Sequence, residues 1–150
     1  MKRFIGFVLM IGLMSFQTGT QKQAPVKPAV AQPSPTTAMK TVMERGKAVY
    51  LQQCLACHQA NGGGVPSLNA PLDKASAVVG KDKEKLIRIV LKGMKGVDID
   101  DETYNNTMAP HPELTDQQIA DVLTYIRNSW TNKASAVSAT EVKLVRAKIK

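Results

Sequence analysis

Cys54-Leu55-Ala56-Cys57-His58 is the segment of this chain whose residue types and spacing most clearly imply chemistry. The chain has two cysteines and two histidines in 150 residues, and this one segment holds both cysteines and one histidine. A single cysteine pair three positions apart cannot staple a small secreted fold, so it belongs to a metal, redox or haem site. A thioredoxin-like thiol pair needs a helix N-terminus within a strand–helix–strand context. A structural zinc site needs four ligands. Here Cys54, Cys57, His58 and His111 reach four only by using the adjacent Cys57 and His58 together. The spacing suits a c-type haem attachment site. Two thiols reach the vinyl groups on adjacent pyrroles and form thioethers, and the next side chain, His58, lies beneath the iron and donates an imidazole nitrogen.

The opposite face of such an iron needs a second ligand. Of seven methionines, Met1, Met10 and Met14 fall in an apolar leader. Met39 and Met43 lie before or within the first expected helix, where a packing role is expected. Met94 sits at a helix end between two glycines. Met108 precedes Ala109-Pro110 in a loop that can be draped across the haem, and is the preferred ligand. Histidine–methionine ligation raises the reduction potential, because a thioether favours ferrous iron. His111 would give a bis-histidine site of lower potential, and an open iron able to bind gases is the remaining alternative.

The elements that position these residues are helical. Thr41 and Glu44 fit a capping box and predict a first helix from Thr41 to about Gln53. Val42, Val49 and Tyr50 share one face, with Gly46 a turn before Tyr50. Residues 59–80 carry Gly62-Gly63-Gly64, Pro66 and Pro71 and are expected to be mostly irregular. A second helix is expected over Asp82–Lys92, with Leu86, Ile89, Val90 and Gly93 as its stripe and Gly93 and Gly96 as its stop. Residues 97–113 form another loop. A third helix begins with Thr115, boxed by Gln118, and carries Ile119, Val122, Leu123 and Ile126. A last helix follows Ser138, boxed by Glu141, with Val142, Val145 and Ile149 on one face. No segment alternates with period two, so the fold class is all-α. The folded part, residues 39–131, is small and loop-rich and buries little apolar area by itself. A large apolar cofactor would complete its core.

The ends differ from the middle. Lys2 and Arg3 followed by the apolar run Phe4–Phe16 resemble an export signal over residues 1–20, too short to span a hydrocarbon core. Cleavage would free the protein, and an uncleaved signal would tether it to the membrane. Residues 21–38, with Pro25, Pro28, Pro33 and Pro35, are expected to be a linker. Residues 132–150 form an extension bearing the short last helix. The net charge of +8 comes from these ends, since residues 39–131 hold eleven basic and eleven acidic side chains. A nucleic-acid binder would place its basic excess on the folded face, so that class is set aside. Lys81, Lys83, Lys85, Arg88, Lys92 and Lys95 lie on or beside the second helix. They are either a solvated face or a patch that steers acidic partners.

With these residues in order, the sequence resembles the class I monohaem cytochromes c. It is most similar to bacterial members that serve, alone or as fused domains, beside membrane dehydrogenases, nitrite reductases and terminal oxidases. The likeness runs over about residues 40–148. It rests on Gly46-x-x-x-Tyr50 before the haem motif, Gly62-x-Gly64-Val65-Pro66, Leu91-Lys92-Gly93, Tyr104-Asn105-x-x-Met108 and Leu123-Thr124-Tyr125-Ile126-Arg127-Asn128-Ser129-Trp130. The family commonly has proline directly after the ligand methionine, whereas here Ala109 intervenes. The resemblance implies a cytochrome c fold of four to five short helices around one covalent haem, held by Cys54 and Cys57, with His58 and Met108 as axial ligands. It implies that the first and last core helices cross at Gly46 and Tyr50, packed on Val122 and Tyr125, and that the Pro66 carbonyl accepts the imidazole N–H of His58. It further implies an exported electron carrier without enzymatic activity, in the periplasm or on the outer face of the inner membrane. Its redox partners would be a dehydrogenase, reductase or terminal oxidase. A fixed subunit of such a complex, or a haem ligand sensor, is the alternative.

Overall fold

The computed structural model describes residues 34–149. The expected leader, and the linker as far as Pro33, lie outside the described residues. Helix α1 spans Pro35–Gln53. It begins six residues before the expected Thr41 because Ser34, not Thr41, is the cap. The Ser34 hydroxyl accepts from Thr37 N–H at 3.3 Å, and Pro35 occupies the first turn, where its missing N–H costs nothing. The Thr41 hydroxyl instead donates back to the Thr37 carbonyl at 3.1 Å, inside the helix. The last residues of the proline-rich stretch are therefore helical.

Helix α2, Leu55–His58, follows within the haem motif. A single-turn helix, α3 (Ser76–Val79), interrupts the segment expected to be irregular. Helix α4 spans Lys83–Lys92, with the Asp82 side chain as its cap. The next loop carries the only strand pair among the described residues, a two-residue hairpin of β1 (Asp98–Ile99) and β2 (Glu102–Thr103). Its turn residues, Asp100 and Asp101, both have positive φ, as a type I′ turn requires. Two-residue strands are too short to show alternation, which is why the sequence did not disclose them. Helices α5 (Asp116–Arg127) and α6 (Ala139–Lys148) start where expected, each with both halves of its capping box formed.

Helix α5 is the centre of the molecule. Ile119, Val122 and Leu123 are buried, and so are Asp121, Thr124 and Arg127. The α1–α5 crossing is the most extensive contact between elements, and Gly46 makes it possible. A Cβ there would lie 2.2 Å from the Asp121 carbonyl oxygen and 2.7 Å from Tyr125 Cβ. The crossing is clamped by Arg45, which donates to both Asp121 carboxylate oxygens at 2.6 and 3.0 Å. Tyr50, Tyr125 and Trp130 cluster beside it, with ring centroids 5.5 to 6.2 Å apart.

The stretch after Trp130 is part of the core. Val137, Val142 and Val145 are buried. The Asn132 amide bonds the Leu72 and Ile126 carbonyls at 2.9 Å. Buried Arg127 donates to the carbonyls of Val78, Gly80 and Ser135, tying α5 to α3 and to the returning chain. Helix α4 is covered on two sides as a result. Leu86, Ile89 and Val90 line an internal cavity. Ile87, on the same side as Lys83, is also buried, where Lys83 meets Glu141 of α6 at 2.9 Å.

Candidate haem-binding site

The attachment segment hangs from the end of α1. Cys54 ends α1 and caps α2, and the N–H groups of Cys57 and His58 both donate to its carbonyl, at 3.2 and 2.9 Å. This tight turn holds both thiols and the imidazole on one short arc. Neither cysteine is in a disulfide, and Cys54 is half-buried while Cys57 is exposed. Burial, and secondarily the nearby Cys57, push the Cys54 thiol up to about 11. A redox-active pair holds its attacking thiol low, so the environment of Cys54 argues against the thioredoxin-like reading. The zinc reading fares no better: among the described residues, no three His, Cys, Asp or Glu side chains converge as a metal site.

His58 Nδ1 lies 2.9 Å from the Ala70 carbonyl oxygen. A carbonyl only accepts, so Nδ1 carries the proton and the Nε2 lone pair is left for a metal. Burial lowers the imidazole pKa, partly opposed by the Ala70 bond, a direction that favours the neutral, ligating form of the ring. The expected acceptor was Pro66, and Ala70 takes its place. Pro66 is exposed and sits in the tight turn closed by the Val65–Asn69 bridge, whereas Ala70 follows that turn back toward His58. Gly64 permits this return. It has φ +63, and a Cβ there would lie 2.2 Å from the Asn69 carbonyl oxygen and 2.6 Å from that of Ala70.

These residues border a cleft of about 820 Å³, counted out to its solvent mouth. Cys54, Cys57 and His58 line it together with Ala70, Ile99, Tyr104 and Met108. A second, apolar space of about 520 Å³, again counted out to open solvent, adjoins it, walled by Leu72, Val78, Leu86, Val90, Leu123 and Ile126. Cys54, His58, Met108 and His111 line both. The Met108 segment is held by backbone pairing with Met94 and by Gly93, at φ +70, where a Cβ would come 2.3 Å from the Met108 carbonyl oxygen. The Met108 loop thus lies against the end of α4. His111 also reaches the cleft, with its Nδ1 3.2 Å from Glu113 Oε1.

The donor set fits a c-type haem: two free thiols, a neutral imidazole with its outer nitrogen anchored, a thioether, and an apolar wall for a large flat macrocycle. Sequence reasoning did not find Ala70, Leu72, Ile99 or Asn69 at the site. Ala70 contributes through backbone position, which leaves no mark in residue type, and Asn69 through its carbonyl and through a side-chain oxygen that accepts from the Asn106 amide at 3.0 Å. Leu72 is an apolar residue in a loop and Ile99 ends a two-residue strand, both too short of context for a periodicity to single them out.

Comparison with known proteins agrees with this geometry. The family profile described as Cytochrome c matches residues 43–130. Cytochrome c-552 of Thermus thermophilus is 34% identical over 112 residues, covering 69% of this chain and 85% of that protein. The cytochrome c subunit of a quinone alcohol dehydrogenase from Gluconacetobacter polyoxogenes is 34% identical over 106 residues, 67% of this chain but 22% of that protein. The cytochrome c subunit of gluconate 2-dehydrogenase from Pantoea cypripedii is 35% identical over 106 residues, with 69% and 24% coverage.

Proposed function

The chain belongs to the cytochrome c family of electron-transfer proteins with covalent c-type haem, and we propose that it carries one such haem and passes single electrons between redox partners of the cell envelope. Cys54 and Cys57 form the two thioethers, His58 supplies the proximal nitrogen, and Met108 supplies the distal sulfur. The observation that carries this assignment is the joint presence, in one cleft, of two free thiols and an imidazole whose Nδ1 is already committed to Ala70. The haem supplies the ferric–ferrous couple. The chain's own residues hold and tune it. Ala70 fixes the imidazole ring and makes it a better donor, and the wall of Leu72, Val78, Leu86 and Leu123 keeps water from one side of the site. Were His58 and Met108 both to hold the iron, no open position would be left for substrate chemistry, which supports a carrier and not an enzyme.

The direct test is maturation with the c-haem assembly machinery, followed by acid–acetone extraction and optical spectra of both oxidation states. Wild-type haem is expected to resist extraction, and Cys54→Ser/Cys57→Ser haem to extract freely. Extraction of the wild-type haem would refute covalent attachment and return the thiol-pair reading.

A second reading is favoured by the dehydrogenase subunits among the relatives, in which a stretch like this chain makes up about a quarter of the protein or less. On that reading the protein is a fixed subunit of a dehydrogenase or oxidase complex. Co-purification with such an enzyme under mild extraction supports it, and recovery as a free monomer at physiological salt counts against it. Export, with the leader cleaved or retained as a tether, is common to both readings.

A further inference from the structure

Met94 and Met108 are cross-strand neighbours. The Met94 N–H donates to the Met108 carbonyl at 3.1 Å, and the Met108 N–H donates to the Met94 carbonyl at 2.8 Å. Residues that exchange both bonds sit directly opposite each other, with Cα atoms about 5.5 Å apart and side chains on the same face. Both methionines line the cleft that holds Cys57 and His58, and Met108 alone of the two also lines the inner apolar space. Met94 lies in the short run between Gly93 and Gly96, both at positive φ, and a Cβ on Gly96 would meet nothing within 4 Å. The open space is at Gly96, while the Met94 backbone is fixed by its pairing with Met108, so any adjustment falls to the Met94 side chain. An unbranched thioether with three rotatable bonds adapts readily to a new position. A packing residue at a helix end needs none of this. A second sulfur on the same face of the same cleft is the feature that packing leaves unexplained.

We propose that Met94 is a second thioether donor to the haem iron, held in reserve beside Met108. The proposal rests on Met108 being the resting ligand. When Met108 is lost, the sulfur of Met94 takes the vacated position. One neutral thioether replaces another, so no electron or proton moves and the iron stays six-coordinate. The consequence is a site that remains closed to small ligands such as carbon monoxide even when its principal sulfur is removed.

The test compares holoprotein carrying Met108→Leu, Met94→Leu and the double replacement. Leucine conserves volume, so folding is preserved as far as a substitution allows, and haem retention with far-ultraviolet circular dichroism verifies it. The readouts are the weak far-red thioether–iron band of the ferric protein and carbon monoxide titration of the ferrous protein. The expected result is that the band keeps its position in Met94→Leu, persists with a shift in Met108→Leu, and disappears in the double variant. An internal ligand bound nine-tenths of the time weakens apparent carbon monoxide affinity about tenfold, so Met108→Leu is expected to bind about tenfold or more weakly than the double variant. If Met108→Leu loses the band and binds carbon monoxide as the double variant does, the reserve role is overturned while Met108 stands as the ligand. If instead Met94→Leu loses the band and Met108→Leu keeps it unshifted, the assignment of Met108 fails, and the reserve role with it.

Discussion

Gly93 shows how one residue can set the position of a proposed ligand, Met108, that it does not touch through a side chain. Its φ of +70 and the 2.3 Å approach of the Met108 carbonyl to a would-be Cβ mean that any larger residue meets both strain and collision. Gly93→Ala is expected to cost about 1–3 kcal/mol and to push the Met108 loop away from the end of α4. The checks are a lower denaturant midpoint and loss of the far-red band at lower temperature than in wild type. Gly64 does the same for the histidine side, letting the Ala70 carbonyl reach His58. Asp121 and Arg127 are residues of another kind. Both are buried ionisable groups on α5, yet Asp121 meets Arg45 and Gln117, and Arg127 meets backbone oxygens. Among the described residues no buried side-chain polar atom lacks a partner.

Helix α6 is held to the rest of the molecule by apolar burial and by three ion pairs: Lys83 with Glu141, Arg146 with Asp116, and Lys148 with Glu84. The carboxyls of Glu84 and Glu141 are both held below their ordinary range. For Glu84 the principal cause is the Lys148 bond, followed by Arg88. For Glu141 the bonds from Ser138 and Lys83 outweigh the opposing effect of burial. A depressed folded pKa means that the unfolded chain binds more protons in the interval between the two values, so stability rises with pH there. This contribution is complete above the unfolded value of about 4.3 and is lost as pH falls through the lower folded values. Amide hydrogen exchange followed from neutral pH into this acid range is expected to show α6 losing protection before α1 and α5. Simultaneous loss across all helices would contradict it.

At the scale of the molecule, the returning chain after Trp130 completes a core that is small without it. Val137, Val142 and Val145 are each at most 5% exposed, and full burial of such a side chain stabilises by roughly 1.5–3 kcal/mol as an upper figure. Removing residues 132–150 is therefore expected to cost several kcal/mol, measured as a fall in the thermal midpoint of the holoprotein. An unchanged midpoint would show the extension to be dispensable. Charge acts at the same scale. Lys83 and Arg88 are engaged with Glu141 and Glu84, which among the described residues leaves Lys81, Lys85, Lys92 and Lys95 as the other cations on or beside α4. Lys95 borders the cleft itself. Replacing Lys85, Lys92 and Lys95 with glutamate is expected to slow electron exchange with an acidic partner at low ionic strength and to flatten its salt dependence. Unchanged rates and salt slope would make these lysines an ordinary solvated face.

Local chemistry decided a large part of this protein before any folding was considered. The Cys54–His58 motif names its chemistry because covalent reach demands that spacing, and the haem-ligand candidates follow from the few sulfur and imidazole side chains available. Helices α5 and α6 were legible because Thr115 and Ser138 act within a few residues of themselves, so their caps are written locally, and α4 was legible through its apolar stripe and the glycines that close it. The start of α1 was misplaced because Thr41-x-x-Glu44 satisfies the same local rule as Ser34 with Pro35, and only the folded chain chooses between them. Tertiary structure alone decided the rest. The Ala70 carbonyl, not that of Pro66, orients His58 because loop closure through Gly64 brings it there, and a carbonyl is the same in every residue. Ile87 is buried because α6 returns across α4, and the pairing of Met94 with Met108 joins residues fourteen positions apart. Such contacts depend on where the backbone travels, and residue type at a single position carries no record of that path.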